Sequence, residues 1–143
     1  PKISRALVLR APELMRPTQK LFLETGGLHG AIALGAGGEV LAAAEDIGRH
    51  NAVDKVIGAL LRAGLVGDVV VEKARSTVLM MVSGRASVEI VQKSHAANIS
   101  SVASVSAVSE LAAELGEASG MCIVGFVRGD GCNIYSGAHL FEE

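Results

Sequence analysis

The chain has 143 residues, half of them apolar, with a formal net charge of −2 and a pI near 6.1. That length supports one real core and is short for two, and the slight acidity excludes a general nucleic-acid binder, which needs a basic excess. Apolar runs stay below the roughly 18 residues of a membrane span, no stretch reads as a signal peptide, and two cysteines without a Cys-x-x-Cys pair suit a reducing cytoplasm rather than a disulfide framework.

With three Phe and one Tyr, the core must be built from Val, Leu, Ile and Ala. In chain order, a helix is predicted over Pro12 to Thr25, with Leu14, Leu21 and Phe22 on one side and Gly26-Gly27 as its stop; Pro17 offers a second start, in a first turn. Leu28 to Leu34 reads as a strand of small residues. Gly35-Ala36-Gly37-Gly38 turns it back into Glu39 to Ala44, a hairpin by composition. Next comes an amphipathic helix from about His50 to Arg62, ending at Gly64. Val53, Val56, Ile57, Leu60 and Leu61 are spaced to share one of its faces.

Thr77 to Val82 is a continuous apolar strand, suited to the buried centre of a sheet. It meets Ser83-Gly84-Arg85 and turns into a helix through Ala86, Ile90, Val91 and Ala97. Ser101 to Val105 is a short strand, followed by Ser106 as N-cap of a helix whose buried stripe is Val108, Leu111, Ala112 and Leu115. Met121 to Val127 is another apolar strand. It ends in Arg128-Gly129-Asp130-Gly131, and Asn133 to Tyr135 returns as the last strand. This alternation predicts one α/β domain over residues 1–143, with helices on both faces of a sheet. The strands starting at Thr77, Ser101 and Met121 should be parallel neighbours.

The densest polar stretch is Glu45-Asp46-Ile47-Gly48-Arg49-His50, at the junction between an apolar strand and a buried helix, where sites are commonly built. Two readings stand: Asp46, Arg49 and His50 shape a pocket wall or a dimer interface, or Asp46 caps the helix while Arg49 and His50 are solvated or ion-paired. Ligands of open α/β sheets bind at the carboxyl ends of strands, beside helix N-termini whose free N–H groups suit phosphate. Three polar loops fall at that edge: Ser83-Gly84-Arg85, Ser106 with Ser109, and Phe126 to Gly131. Gly84, Gly129 and Gly131 would let amides approach an anion, and Arg85 and Arg128 could add charge-assisted bonds. The expectation is a nucleotide-like or phosphate-bearing ligand; the bland alternative is ordinary caps and a surface turn.

Other constellations are missing. The sequence lacks the zinc deaminase pattern, a Walker loop, a Gly-x-Gly-x-x-Gly opening a helix, and a Gly-x-Ser-x-Gly elbow. His29 fits either a hydrogen-bonded core position or the same pocket as His50. His95 and His139 read as surface residues and Cys122 as inert core. Cys132, near the glycine loop, fits a structural role or an exposed nucleophile.

Four segments together resemble the formate dehydrogenase accessory protein (FdhD) family. They are Thr25-Gly26-Gly27-Leu28-His29-Gly30-Ala31; Glu45 through Lys55; Ser83-Gly84-Arg85-Ala86-Ser87-Val88-Glu89-Ile90-Val91-Gln92-Lys93; and Val124-Gly125-Phe126-Val127-Arg128-Gly129. The resemblance covers about Met15 to Tyr135. It implies a three-layer, cytidine-deaminase-like domain without the zinc site, a mixed sheet with helices on both faces, and a homodimer. It also implies a cytoplasmic sulfurtransferase that passes persulfide sulfur from a cysteine desulfurase to the molybdenum cofactor, a bis-molybdopterin guanine dinucleotide, before insertion into formate dehydrogenase. The family's cofactor segment corresponds to Phe126, Val127, Arg128, Gly129, Asp130 and Gly131, with Ser83, Gly84, Arg85 and Ser106 expected to help. Guanosine diphosphate is then a natural mimic.

The chain departs from the family pattern at the sulfur. The family's persulfide sits on a Cys-x-x-Cys loop upstream of the segment that starts this chain, and neither Cys122 nor Cys132 matches it. The catalytic cysteine is therefore expected outside these residues, and the alternative is a non-catalytic chaperone for the cofactor or a guanine nucleotide. Gly131 stands where the family often has a second basic residue, and Ser136-Gly137-Ala138-His139 replaces a Thr-His-Pro run.

Overall fold

The computed structural model describes residues 2–20, 27–66 and 77–143. The first element is not the expected one. Ser4 accepts a hydrogen bond from the Leu7 N–H at 3.1 Å and opens helix α1 over Arg5–Met15, just after the two-residue strand β1, Ile3–Ser4. Leu7, Val8, Ala11 and Met15 form its buried face. Pro12 lies inside the helix, where its missing N–H forfeits a single bond to the preceding turn. A 3-10 turn, Arg16–Thr18, follows. The chain is thus already helical before Pro12, where the expected helix was to begin; of the predicted span Pro12 to Thr25, residues 21–25, with Leu21 and Phe22, lie outside the described residues.

The hairpin is as expected. Strand β2 (His29–Gly35) pairs antiparallel with β3 (Val40–Asp46), and the turn is closed by the Gly35 N–H donating to the Glu39 carbonyl at 3.0 Å. Helix α2, Arg49–Ala63, follows and ends at Gly64 in the left-handed region. Val53, Val56 and Leu60 are buried on it and Ile57 partly so, while Leu61 is turned out to solvent. Strand β4 (Thr77–Val82) is wholly buried. Then come α3 (Val88–Ala96), β5 (Ser101–Ser104), α4 (Glu110–Ser119), β6 (Cys122–Arg128) and β7 (Gly131–Ser136). A last short strand, β8 (Phe141–Glu142), pairs in parallel with β1. On α4, Leu111 is exposed, against expectation; Ala112 and Gly116 take the buried positions.

The six-stranded sheet has the order β3-β2-β4-β5-β6-β7, with β4, β5 and β6 parallel and β2 and β7 reversed. Because β2 is antiparallel to both β3 and β4, those two run in the same direction. Four strands therefore end at one edge, and three of them lead there into α2, α3 and α4. The chain advances across the sheet in one sense, so right-handed crossovers place these three helices on the same face. Period-two alternation then divides the core. Ala31, Ala33, Met80, Val82, Val102 and Ile123 pack against α2, α3 and α4. Ile32, Leu34, Leu79, Met81, Ala103 and Val124 pack against α1, Ile3 and Phe141 on the other face. The result is the expected α/β arrangement, helices on both sides of a mixed sheet.

Candidate functional site

The three polar loops do share the carboxyl edge, and hydrogen bonds join them. The Ser104 hydroxyl donates to the Gly84 carbonyl at 2.6 Å and accepts from the Ser106 N–H at 2.9 Å. The Ser106 carbonyl in turn accepts from the Phe126 N–H at 2.9 Å. A second rung joins Ala86 to the same region: its N–H donates to the Ala107 carbonyl, and its carbonyl accepts from the Ser109 N–H. This cross-loop pairing keeps residues 105–108 out of the helix. The N-cap of α4 is accordingly Ser109, whose hydroxyl accepts from the Ala112 N–H at 3.1 Å, and not Ser106 as expected.

At the α2 end of the edge, the Ser83 hydroxyl accepts from the Gly30 N–H at 2.8 Å, fixing the start of β2 against the end of β4. His29 packs there directly on Gly84: a Cβ on Gly84 would stand 2.9 Å from His29 Nδ1 and 3.7 Å from Arg49 Cδ. A cleft of about 520 Å³ opens between this corner and α1, lined by Pro12, Met15, Arg16 and Gln19 on one side and His29, Ser83, Gly84 and Val105 on the other. That volume is in the range of small-molecule sites. His29 also lines a neighbouring cleft of about 370 Å³ with Gly48, Arg49 and His50.

Asp46 does not cap α2. Its carboxylate accepts from the Gly48 N–H at 2.9 Å and from Lys55 Nζ at 2.7 Å, so it braces the turn that leads into the helix. The Lys55 ammonium, then the Gly48 amide and the Asn51 side chain, hold its carboxyl down at about 2. His50 Nε2 lies 3.0 Å from the Ser87 hydroxyl and 3.9 Å from Glu89. One ring nitrogen faces both groups, so the trio is no nucleophile–base–orienter relay, which needs both nitrogens. Glu89 is held below its ordinary value by its own backbone N–H and by the Ser87 hydroxyl.

The other end of the edge is the β6–β7 hairpin. Phe126 sits at φ 50° in an irregular step of the ladder between Gly125 and Arg128, a left-handed conformation that a bulky side chain adopts only under constraint. The residue is 37% exposed, Arg128, Gly129 and Asp130 at the hairpin tip are exposed, and Gly131 is half-buried. Val127 differs: its side chain is buried in the core on the α1 face, so it can offer a ligand only its backbone. Arg85 is exposed beside the start of α3. The expected site residues thus lie along one edge, with Ser83 and Gly84 in the larger cleft and residues 126–131 on the hairpin.

Cys122 is buried, and burial pushes its thiol up to about 11. Cys132 is half-buried in the flank of the same core, and burial raises it as well. Both are protonated at neutral pH, which removes Cys132 as a ready nucleophile. Among the described residues no cluster of His, Cys, Asp or Glu could hold a metal ion, and no helix is long and apolar enough to cross a membrane.

The FdhD/NarQ family model matches residues 1–141. The chain belongs to the FdhD/NarQ family. It is 51% identical over 134 residues to the sulfur carrier protein FdhD of Anaeromyxobacter dehalogenans (strain 2CP-C), covering 94% of this chain and 46% of that protein. It is 48% identical over 132 residues to that of Nocardia farcinica, covering 92% and 45% of the two chains. With that of Thermoplasma volcanium it shares 44% identity over 137 residues, covering 96% and 46%. The chain therefore spans about half the length of these relatives. A crystal structure described as a candidate formate dehydrogenase accessory protein, from Desulfotalea psychrophila, has the same fold. Its TM-score is 0.82 at 24% identity, over 98% of this chain and 55% of that one.

Of the alternatives open for the polar junction, the structure places Arg49 and His50 in a pocket wall and His29 in the same cleft, beside the expected cofactor set of Ser83 and Gly84. The α1 wall of the larger cleft went unseen because Leu7, Val8, Ala11 and Met15, a helical stripe opened by Ser4, were not taken as an element.

Proposed function

We propose that this chain is the cofactor-holding part of a sulfur-carrier accessory protein serving formate dehydrogenase, and that it binds the molybdenum cofactor, a bis-molybdopterin guanine dinucleotide, as its substrate. The observation that carries this reading is the hydrogen-bonded run Gly84–Ser104–Ser106–Phe126, which joins three loops at one carboxyl edge beside a cleft of about 520 Å³. Ser83, Gly84, Arg85 and Ser106 would hold one part of the substrate. Phe126, Arg128, Gly129, Asp130, Gly131 and the backbone of Val127 would hold another. Arg85 and Arg128 are solvent-facing and free to close on phosphate oxygens. The cleft takes a nucleotide-sized portion of so large a ligand, which is why guanosine diphosphate is the fitting probe.

In this reading the sulfur originates with a cysteine desulfurase and travels on a thiol other than Cys122 and Cys132, since both are protonated at neutral pH. The same observation favours a second reading, a non-catalytic chaperone that holds the cofactor or a guanine nucleotide without moving sulfur. A homodimer and a cytoplasmic setting belong to the first reading; two unpaired thiols suit a reducing compartment. The test is a calorimetric titration with guanosine diphosphate of the chain and of Arg128→Ala. Saturable binding, weakened in the variant by about 1–3 kcal/mol as for a lost charged hydrogen-bond partner, is the expected result. Absence of binding, or equal binding by both proteins, would overturn the assignment of the hairpin.

A further inference from the structure

We propose that the smaller cleft, between His29 and the first turn of α2, is a separate oxyanion subsite that takes a phosphate or pyrophosphate group on Arg49, His50 and His29. The proposal goes beyond the cofactor reading and stands without it. The cleft measures about 370 Å³ and is lined by His29, Ile47, Gly48, Arg49, His50 and Asn51. Its polar side chains are donors or can become donors, and they arrive from two elements, β2 and α2, that the sheet holds in register.

The charges around the cleft are already sorted. Asp46 is bound to Lys55 at 2.7 Å and Asp54 to Lys93 at 2.8 Å, so two carboxylates on this side of α2 are matched by lysines. Arg49 forms no ion pair of 4.0 Å or less with any described residue. The competing carboxylate is Glu89 on α3, 3.9 Å from His50 Nε2 and within the pull of Arg49. It stands on the Ser87 side of His50 and is not among the residues lining the cleft. A half-buried arginine with no ion pair among the described residues, lining a concavity with two imidazoles, is suited to a bidentate oxyanion. Gly48 supplies no side chain to cap α2, so first-turn N–H groups add to the same field. Gly84 completes the wall: with no Cβ, it lets His29 lie against the backbone, where the ring borders both clefts.

The test uses the ¹⁵N-labelled chain titrated with inorganic pyrophosphate, alongside Arg49→Gln, His29→Gln and Arg128→Ala. Saturable shifts of the Arg49, His50 and Asn51 amides are expected, with the affinity read at those amides about tenfold lower in Arg49→Gln, as for loss of a charge-assisted pair. His29→Gln, which keeps a donor of similar reach, should retain much of the affinity and guards against misreading a folding defect. No saturable shift, shifts confined to the hairpin, or an Arg49→Gln variant that binds like the parent would overturn the proposal. Guanosine diphosphate titrated into the same samples separates the two sites. Its weakening by Arg128→Ala alone speaks for the hairpin, whatever pyrophosphate does.

Discussion

The two ends of the carboxyl edge are built by different means. At the α2 corner, side chains make the ties: Ser83 to the Gly30 N–H, His50 to Ser87, and Asp46 to Lys55 and the Gly48 N–H. At the β6–β7 hairpin, the shape is set by backbone. Phe126 is fixed by its N–H on the Ser106 carbonyl and Arg128 pairs with Gly131, while the side chains of Arg128 and Asp130 extend into solvent. A ligand at the corner meets donors already in place. At the hairpin it meets a rigid frame carrying side chains that must be ordered on binding, at a cost of roughly 0.5–1.5 kcal/mol for each long one. The corner is therefore suited to recognising a fixed group, and the hairpin to closing over a variable one.

The sharpest way to break this contrast is to unseat the hairpin frame. A Cβ on Gly125 would stand 2.8 Å from Val108 Cγ2, 2.9 Å from Tyr135 Cε2 and 3.3 Å from the Ser106 carbonyl oxygen. None of these is the far end of a flexible chain. Gly125→Ala should cost up to about 3 kcal/mol, as overpacking does, and should weaken guanosine diphosphate more than pyrophosphate; denaturant melts and the two titrations check both. The next effect comes from removing the tie between the ends. Ser104 is fully buried and serves Gly84 and Ser106 at once. Ser104→Ala leaves a carbonyl and an N–H without that partner and should cost about 1–2 kcal/mol. If both ligands weaken together, the edge acts as one unit; if only guanosine diphosphate weakens, the corner is self-supporting.

Much of this architecture was legible in local sequence, and what was not has a physical reason. The run Thr77 to Val82 and the Gly64 stop of α2 are local statements, and the structure follows them. Ser106 and Ser109 are equally good caps by residue type. The choice of Ser109 comes from Ala86, twenty-three residues earlier, whose bonds to Ala107 and Ser109 keep the intervening chain out of the helix. Leu61 and Leu111 lie beside the buried stripes, and only the neighbouring elements decide that they face solvent. The helix expected from Pro12 begins earlier, at Arg5, and runs on through the proline, because the stripe of Leu7, Val8, Ala11 and Met15 buries enough to outweigh one lost bond. At the site, residue types announced polar loops. That residues 46–51 join the same edge depends on which strand lies between β3 and β4, a long-range fact that no local pattern carries.

Two smaller effects test whether the corner is held as firmly as its bonds imply. Gly84→Ala meets only the end of His29, at 2.9 Å, a ring that can swing aside into either cleft. It should cost less than about 1 kcal/mol, well below Gly125→Ala, while moving the His29 ring signals in a proton spectrum. The smallest effect on stability is expected at Asp46. Its carboxyl is at about 2, and Lys55 is the largest cause, ahead of the Gly48 amide and Asn51. A carboxylate depressed in the folded state stabilises the fold above its ordinary value of 3.8, and that contribution disappears as pH falls from there through about 2. In Lys55→Met the Asp46 midpoint, read from a carbon-detected pH titration, should rise from about 2 toward 3.8 without reaching it, because the Gly48 N–H and the Asn51 amide remain. The window of acid sensitivity then shifts upward and narrows. A midpoint that stays at about 2 would mean that the turn itself, and not the lysine, fixes the carboxylate. The corner would then owe its shape to backbone, as the hairpin does, and the contrast between the two ends would fall.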